Sequence, residues 1–325
     1  MRSRPTGAIE AGATWGLKAG DALGEDRHVL TFVAAGRKSE VYLAWDRRRH
    51  SMVAAKLPRP GRPVRKLHRE AALLDRLAHP VLVRSYGAAL EERYPHLVLE
   101  HIAGPSVRRL MRREAIAPDM VVAVALQVAT ALHYLAMEGF VHLDVNPHNI
   151  LLDTPTSPHT LEAGRRERHI KRVTGAPPPA RLIDAAAIQP VGSVVKALGG
   201  SVPELRVAEA RAAPPAGVWL LGATMWRMLS GGGKVPGEEV DPRERRARNL
   251  PTASMDPPVR PEGAPKPLVD LVTACLRQEP SERPSAGEVA ERLEPLFVSS
   301  FATPSSPPQR RPAARLRRWL VPSGG

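Results

Sequence analysis

The sequence predicts an α+β protein of two lobes: a small antiparallel β lobe carrying one helix, then a larger lobe that is mostly α-helical. Three observations carry this expectation. Strand-like apolar runs separated by polar turns fill Val29 to Leu57. Composition changes after residue 102, and the segments that follow are long, helical in period and apolar almost all round. Helices with no polar face pack inside a larger helical body.

In the first lobe, residues 22–102, "EVYLAWD" and "MVAAKL" flank the polar turn "RRRHS" and read as a hairpin. "VRKLHREAALLDRLA" places Leu67, Ala71, Leu74 and Leu77 at helical spacing, and "HLVLEHI" reads as a strand. "EHIAGPS" bridges to the second lobe, residues 103–297. There, "PDMVVAVALQVATALHYLAMEGF" opens near Asp119 and stops at Gly139. "GVWLLGATMWRMLSG" is a second buried helix ending at Gly231; "PLVDLVTACLRQ" and "SAGEVAERLEPLF" are two more. Between the first two lies "FVHLDVNPHNILL", residues 140–152. Asn146-Pro147 is a turn signal, so this stretch reads as a rigid hairpin lifting Asp144 and Asn149 out of the core.

Three segments fall outside that pattern. Residues 1–21 are rich in Gly, Ala and Ser/Thr and are expected to be disordered. Residues 153–180 are Pro-rich and basic and read as a surface insertion; residues 298–325 carry five arginines and no acids and read as a disordered tail.

At 325 residues and 43% hydrophobic, the chain can bury a sizeable core. Its one cysteine, Cys275, excludes an internal disulfide and a cysteine-based metal cluster. Lying inside an apolar helical pattern, it reads as a packed core thiol, which fits a cytoplasmic location. No apolar run is expected to approach the roughly 18–20 residues that span a bilayer, and the first residues hold no apolar block of a secretion signal. The net charge of +14 fits an acidic partner, but Arg and Ala richness also describes the composition of a high-GC genome, so it receives little weight. The tail arginines and "RLRRWL" offer an electrostatic contact with nucleic acid or an anionic membrane.

"HLDVNPHN", His142 to Asn149, resembles the catalytic loop H-R-D-L-K-P-x-N of protein kinases. "VAAK" with Lys56 resembles the kinase V-A-I-K strand, and Glu70 in "HREAALL" matches the helix glutamate that pairs with that lysine. "ARLIDAA" places Asp184 at the D-F-G aspartate, "VPE" sets Glu204 at A-P-E, and Arg283 in "PSERPSAGEV" matches its late partner. The order of these elements, and the stretch from Leu17 to Asp46, are similar to bacterial serine/threonine kinases of the eukaryotic type over residues 22–297. The resemblance implies the two-lobed protein-kinase-like fold. It implies that Lys56 holds the α/β-phosphates of ATP with Glu70 fixing its ammonium. Gly36, Val41, Glu100 and Ile102 would complete the nucleotide site. Asn149 and Asp184 would bind Mg²⁺, or Mn²⁺, through oxygen ligands. Asp144 would accept the substrate hydroxyl proton, and Asn146 occupies the third catalytic position.

Several positions depart from the family. Ala34-Ala35-Gly36-Arg37-Lys38-Ser39 keeps only the middle glycine of G-x-G-x-x-G, and each added Cβ limits backbone approach to phosphate. Leu143 replaces the arginine that pairs with a phosphorylated activation loop. Asn146 replaces the catalytic-loop lysine, Ala185-Ala186 replaces phenylalanine and glycine, and Gly217 stands where an aspartate braces the catalytic loop. Two readings follow. One is an ATP-dependent protein serine/threonine kinase, slow or specialised, acting on an unidentified protein; the other is a pseudokinase that binds ATP or scaffolds signalling without phosphoryl transfer.

Overall fold

The computed structural model of the chain describes residues 13–112, 115–154, 177–195, 202–233, 235 and 263–301. The first lobe is a six-stranded antiparallel sheet of order β1-β2-β3-β4-β6-β5. Its strands are Ala22–Leu23 (β1), Arg27–Ala35 (β2), Ser39–Asp46 (β3), Ser51–Pro58 (β4), Ser85–Ala89 (β5) and His96–Glu100 (β6). The expected hairpin is β3–β4, in register from Ser39 opposite Pro58 to Asp46 opposite Ser51. Side chains alternate faces along a strand, so Tyr42 and Ala44 of β3 join Val53, Ala55 and Leu57 of β4 in an outer apolar cluster. The opposite face of β4 presents Ala54 and Lys56 to the cleft. Helix α1, Arg65–Arg76, covers that side and buries Leu67, Glu70, Ala71 and Leu74.

The expectation of disorder over 1–21 is corrected for residues 13–21. Leu17 is buried in the outer cluster with Trp15 packed beside it, and the Trp15 indole N–H donates to the Pro58 carbonyl at 2.7 Å. An aromatic ring and a leucine, spaced to dock on an apolar sheet face, outweigh the loop-like composition around them.

In the second lobe a short helix, Val107–Leu110 (α2), starts at Ser106, whose hydroxyl accepts the Arg109 N–H at 3.3 Å. The long helices are Pro118–Met137 (α3), Pro214–Leu229 (α4), Lys266–Cys275 (α5) and Ala286–Phe301 (α6). Proline opens α3 and α4, where a missing N–H costs nothing, and Gly139 at φ +78° follows α3. Against expectation, α3 is long and apolar enough to cross a membrane by length and composition; most of its surface is instead buried against neighbouring segments of the lobe. Gly222 on α4 lets α5 approach: a Cβ there would stand 2.6 Å from Cys275 Cβ. Cys275 is buried, and burial pushes its thiol up to about 12, as a core thiol requires. The expected Glu204–Arg283 pair forms a bidentate fork at 2.7 and 2.9 Å, with the guanidinium also donating to the carbonyls of Pro215, Arg277 and Gln278. This locks the segment after the cleft onto the foot of the lobe.

The hairpin expected over 140–152 is also corrected. Phe140–His142 (β7) and Ile150–Leu152 (β8) do not pair with each other. β7 pairs with Ile188–Pro190 (β10), and β8 with Ala180–Leu182 (β9). Both apolar flanks are buried, and each finds its ladder on a segment returning from later in the chain: Ile188 opposite His142, and Leu182 opposite Ile150. Residues 143–149 therefore span two separate ladders as an arch. Ala180 lies within β9, so the proposed insertion ends before it; 155–176 lie outside the described residues. The tail boundary at 298 moves as well, because α6 runs to Phe301, and 302–325 lie outside the described residues.

Gly104 shows how closely the bridge between lobes docks. A Cβ on it would fall 1.6 Å from the Leu152 carbonyl oxygen and 2.9 Å from Thr154 Oγ1. Gly217, in contrast, has only ordinary contacts at 3.6 Å around the same added atom. Gly104→Ala is expected to cost about 1–3 kcal/mol through forced displacement of backbone. Gly217→Ala, inside α4, is expected to gain about 0.5–1 kcal/mol from helix propensity. Urea unfolding of the two variants beside the wild type checks the opposite signs.

Candidate nucleotide-binding and catalytic site

Lys56 reaches the cleft because β4 alternation places it opposite the outer cluster, with Val41 of β3 directly across the ladder. Its Nζ donates to both carboxylate oxygens of Glu70, at 2.7 and 2.9 Å, and to Asp184 Oδ1 at 2.7 Å. Strand, helix α1 and the segment after β9 thus meet at one ammonium. Asp184 adopts a left-handed backbone at φ +68°, which turns the chain at the end of β9 into the short 3₁₀ turn Ala185–Ala187. Burial opposes the charge on Lys56, yet Glu70 and Asp184 outweigh it and hold the ammonium above the ordinary lysine range. Burial raises Glu70, with Lys56 pulling it back. Burial also acts to raise Asp184, but Lys56 dominates and holds that carboxyl below the usual range.

The lower wall is the arch 143–149. Asn146 Nδ2 donates to Asp144 Oδ1 at 2.8 Å, and Asn149 Nδ2 donates to Asp144 Oδ2 at 2.9 Å. Both amides also reach the Asp144 carbonyl, at 3.0 and 2.9 Å. The Asn149 amide therefore turns its oxygen away from Asp144. Asn146 spends its own oxygen on the His148 N–H at 2.9 Å, so both its ends brace the arch. A lysine here could bring charge; this amide fixes Asp144 and brings none. The backbone is held without a carboxylate from α4: Leu143 N–H donates to the Ala187 carbonyl at 3.1 Å, and Asp144 N–H to His142 Nδ1 at 3.2 Å. His142 is buried, and its Nε2 has no hydrogen bond among the described residues.

At the hinge, Glu100 uses its carboxylate structurally. Oε1 accepts the Arg84 N–H at 2.8 Å and lies 3.3 Å from Arg181 Nε of β9, which joins the two lobes. Any nucleotide contact by Glu100 falls to its backbone. Ile102 is buried just beyond it. Gly36 closes the turn between β2 and β3 with its N–H on the Ser39 carbonyl at 2.8 Å. The sequence reading omitted two apolar residues, Ala54 on the Lys56 face of β4 and Leu151 on β8, both partly buried at the core margin. The period-two spacing from Lys56 was the available signal for Ala54. Arg181 carried none, because its partner lies across the hinge.

The fold is the two-lobed one of protein kinase domains, and comparison with known proteins agrees with it. The protein kinase domain family model matches residues 28–171. Mitogen-activated protein kinase kinase kinase 11 of Homo sapiens is 26% identical over 233 residues, 71% of this chain and 26% of its own length. Mitogen-activated protein kinase kinase kinase 3 of Arabidopsis thaliana is 25% identical over 229 residues, 70% of this chain and 33% of its own. The tyrosine-protein kinase transforming protein Abl of Abelson murine leukemia virus is 23% identical over 272 residues, 82% of this chain and 34% of its own. The chain is similar to these kinases over their kinase-like part and spans about a quarter to a third of their length.

The donors present fit a divalent cation that arrives with phosphate. Among the described residues no group of three or more His, Cys, Asp or Glu could hold a metal alone. Asp184 and the outward oxygen of Asn149 offer two hard oxygen ligands, the sparse protein set that Mg²⁺ accepts when phosphate and water complete its shell. When bound, that ion would neutralise charge on the phosphates.

His142 makes the arch sensitive to acid. Burial pushes its imidazole down to about 4, against the smaller pull of Asp184 and the Ile183 carbonyl. Between pH 6.5 and about 4 the unfolded chain takes a proton that the folded chain refuses. Stability from this group is therefore full above pH 6.5 and is lost as pH falls, by about 3 kcal/mol in all. In His142→Asn, whose side-chain oxygen can still accept the Asp144 N–H, the fall of the unfolding midpoint between pH 7 and 4 should be shallower. Thermal unfolding across that range measures it.

Proposed function

We propose that this chain is an ATP- and Mg²⁺-dependent protein serine/threonine kinase, slow or specialised, working in the cytoplasm of a bacterium. The observation that carries the reading is the Lys56 ammonium, seated between Glu70 and Asp184 on the upper wall and facing the Asp144–Asn149 arch below. Phosphoryl transfer asks a protein mainly for alignment and charge neutralisation. Lys56 supplies positive charge toward the α/β-phosphates of ATP, while Asn149 and Asp184 hold the cation. Asp144, its carboxylate oriented by two amides, takes the proton of a substrate hydroxyl. Val41 and Ala54 above and Leu151 below offer apolar surface to the base, with the Glu100 and Ile102 backbone at its edge. The seryl or threonyl acceptor, the bacterial source and the cytoplasmic location rest on the sequence resemblance and the single buried cysteine. A contact of the basic tail with nucleic acid or anionic membrane is an addition to this reading.

A second reading, a pseudokinase that binds ATP without transfer, draws on one observation: Asn146 is uncharged and consumed by the arch. Incubating the purified chain with γ-labelled ATP and Mg²⁺ or Mn²⁺, beside Asp144→Asn, separates the two. The kinase reading expects label on the wild type or an added protein, reduced about 10²–10⁴-fold in the variant. Equal labelling of both contradicts it, and nucleotide binding with no labelling of either moves the assignment to the second reading.

A further inference from the structure

The turn that would face a triphosphate is anchored from outside the cleft. Arg59, just past β4, donates from Nε to the Gly36 carbonyl at 2.8 Å and from Nη1 to the Ala13 carbonyl at 3.1 Å. Its own N–H donates to the Lys38 carbonyl at 3.0 Å. One residue therefore grips both ends of the turn and the N-terminal strap. The strap is fastened in its turn. Trp15 N–H donates to Glu40 Oε2 at 3.3 Å, its indole N–H holds Pro58, and its ring meets Tyr94 edge-on with centroids 5.4 Å apart.

Glu40 explains why the strap has to lie there. It sits one residue past the first residue of β3 with its side chain fully buried on the outer face. Oε2 accepts the Tyr42 hydroxyl at 2.7 Å; Arg59 Nη1 stands 3.6 Å from Oε1, which has no hydrogen bond among the described residues. A buried carboxylate is tolerated when charge and donors surround it, and here the donors come from the strap and the cation from Arg59. The same guanidinium that compensates Glu40 holds the turn.

An external support suits this turn, because Cβ atoms limit how far its backbone can mould itself to a ligand. Ala34 and Ser39 occupy positions where glycine would let the backbone close on phosphate. A turn of fixed shape binds well only if it is already at the right height, since little ordering is then left for binding to accomplish. Lys38 rides on this turn, and its positive charge acts on Asp184 across the cleft.

We propose that Arg59 is a positioning residue for phosphate binding: through the Gly36 carbonyl and the strap of residues 13–17 it holds the turn, and Lys38 with it, over the triphosphate. The inference rests on the nucleotide reading above. Its test compares Mg²⁺–ATP with adenosine, which lacks the phosphates that would meet the turn. Calorimetry on the full chain should show Arg59→Gln binding Mg²⁺–ATP about tenfold more weakly, with adenosine affinity changed by less than about twofold. Trp15→Phe keeps the ring but loses the bond to Pro58, and should shift the same ratio in the same direction by less; it carries the test if Arg59→Gln does not fold. Equal weakening of both ligands, or unchanged Mg²⁺–ATP affinity, overturns the inference and leaves the nucleotide reading standing. A wild type that binds neither ligand removes both.

Discussion

Lys56 Nζ stands 2.7 Å from a carboxylate oxygen of Glu70 and 2.7 Å from one of Asp184, and three segments far apart in the chain depend on that junction. Without the ammonium, Glu70 would be a buried acid with its main charge partner gone, and losing one member of such a group commonly costs about 3–5 kcal/mol. The junction is also unbalanced. Two carboxylates share one cation, and the Asp184 side chain remains 39% exposed toward the cleft. That residual negative charge, beside the outward oxygen of Asn149, is what a divalent cation carrying phosphate would neutralise. On the proposed reading, the ligand that fits this junction is one that brings both signs of charge together.

Everything below the junction serves to hold the arch still. α3 and α4 are buried nearly all round, and the Thr224 hydroxyl of α4 reaches the Val145 carbonyl of the arch at 3.3 Å, with no carboxylate on α4. At Gly217 there is room for a Cβ, which would stand 3.6 Å from the His142 carbonyl oxygen, Leu132 and Val141. Packing and hydrogen bonds from neutral groups perform the bracing that the sequence resemblance would assign to an ion. The same substitution of neutral for charged groups recurs at Asn146. The candidate metal and phosphate ligands are charged or hard oxygen donors, while the groups that brace them are uncharged.

Much of this was legible in the sequence, for identifiable reasons. Helices α3 to α6 announce themselves by long apolar periods, and the β3–β4 hairpin by a polar turn between two runs. The candidate site residues were readable because their types fall in a fixed order along the chain, from Lys56 and Glu70 to Asp144, Asn149 and Asp184. What failed to show were pairings between distant short segments. A strand of three residues, such as Phe140–His142 or Ile150–Leu152, carries no period by which to choose a partner, so a local hairpin looked sufficient. The strap was hidden because composition averages over residues 1–21, while docking depends on Trp15 and Leu17 alone. Glu40 was closer to legible: it alternates with Tyr42, Ala44 and Asp46 in "SEVYLAWD", and a charged residue in a buried register asks for a partner. That the partner would be Arg59 required the folded chain.

The account stands most directly on how the cleft responds to nucleotide and metal together. Titrating ATP into the purified wild type, with Mg²⁺ present and then chelated, and repeating this with Lys56→Met, reads that response as heat. The account predicts saturable binding by the wild type that weakens sharply without the metal and in the variant. Binding of equal strength in all three cases, or none by the wild type with any divalent cation, would contradict it.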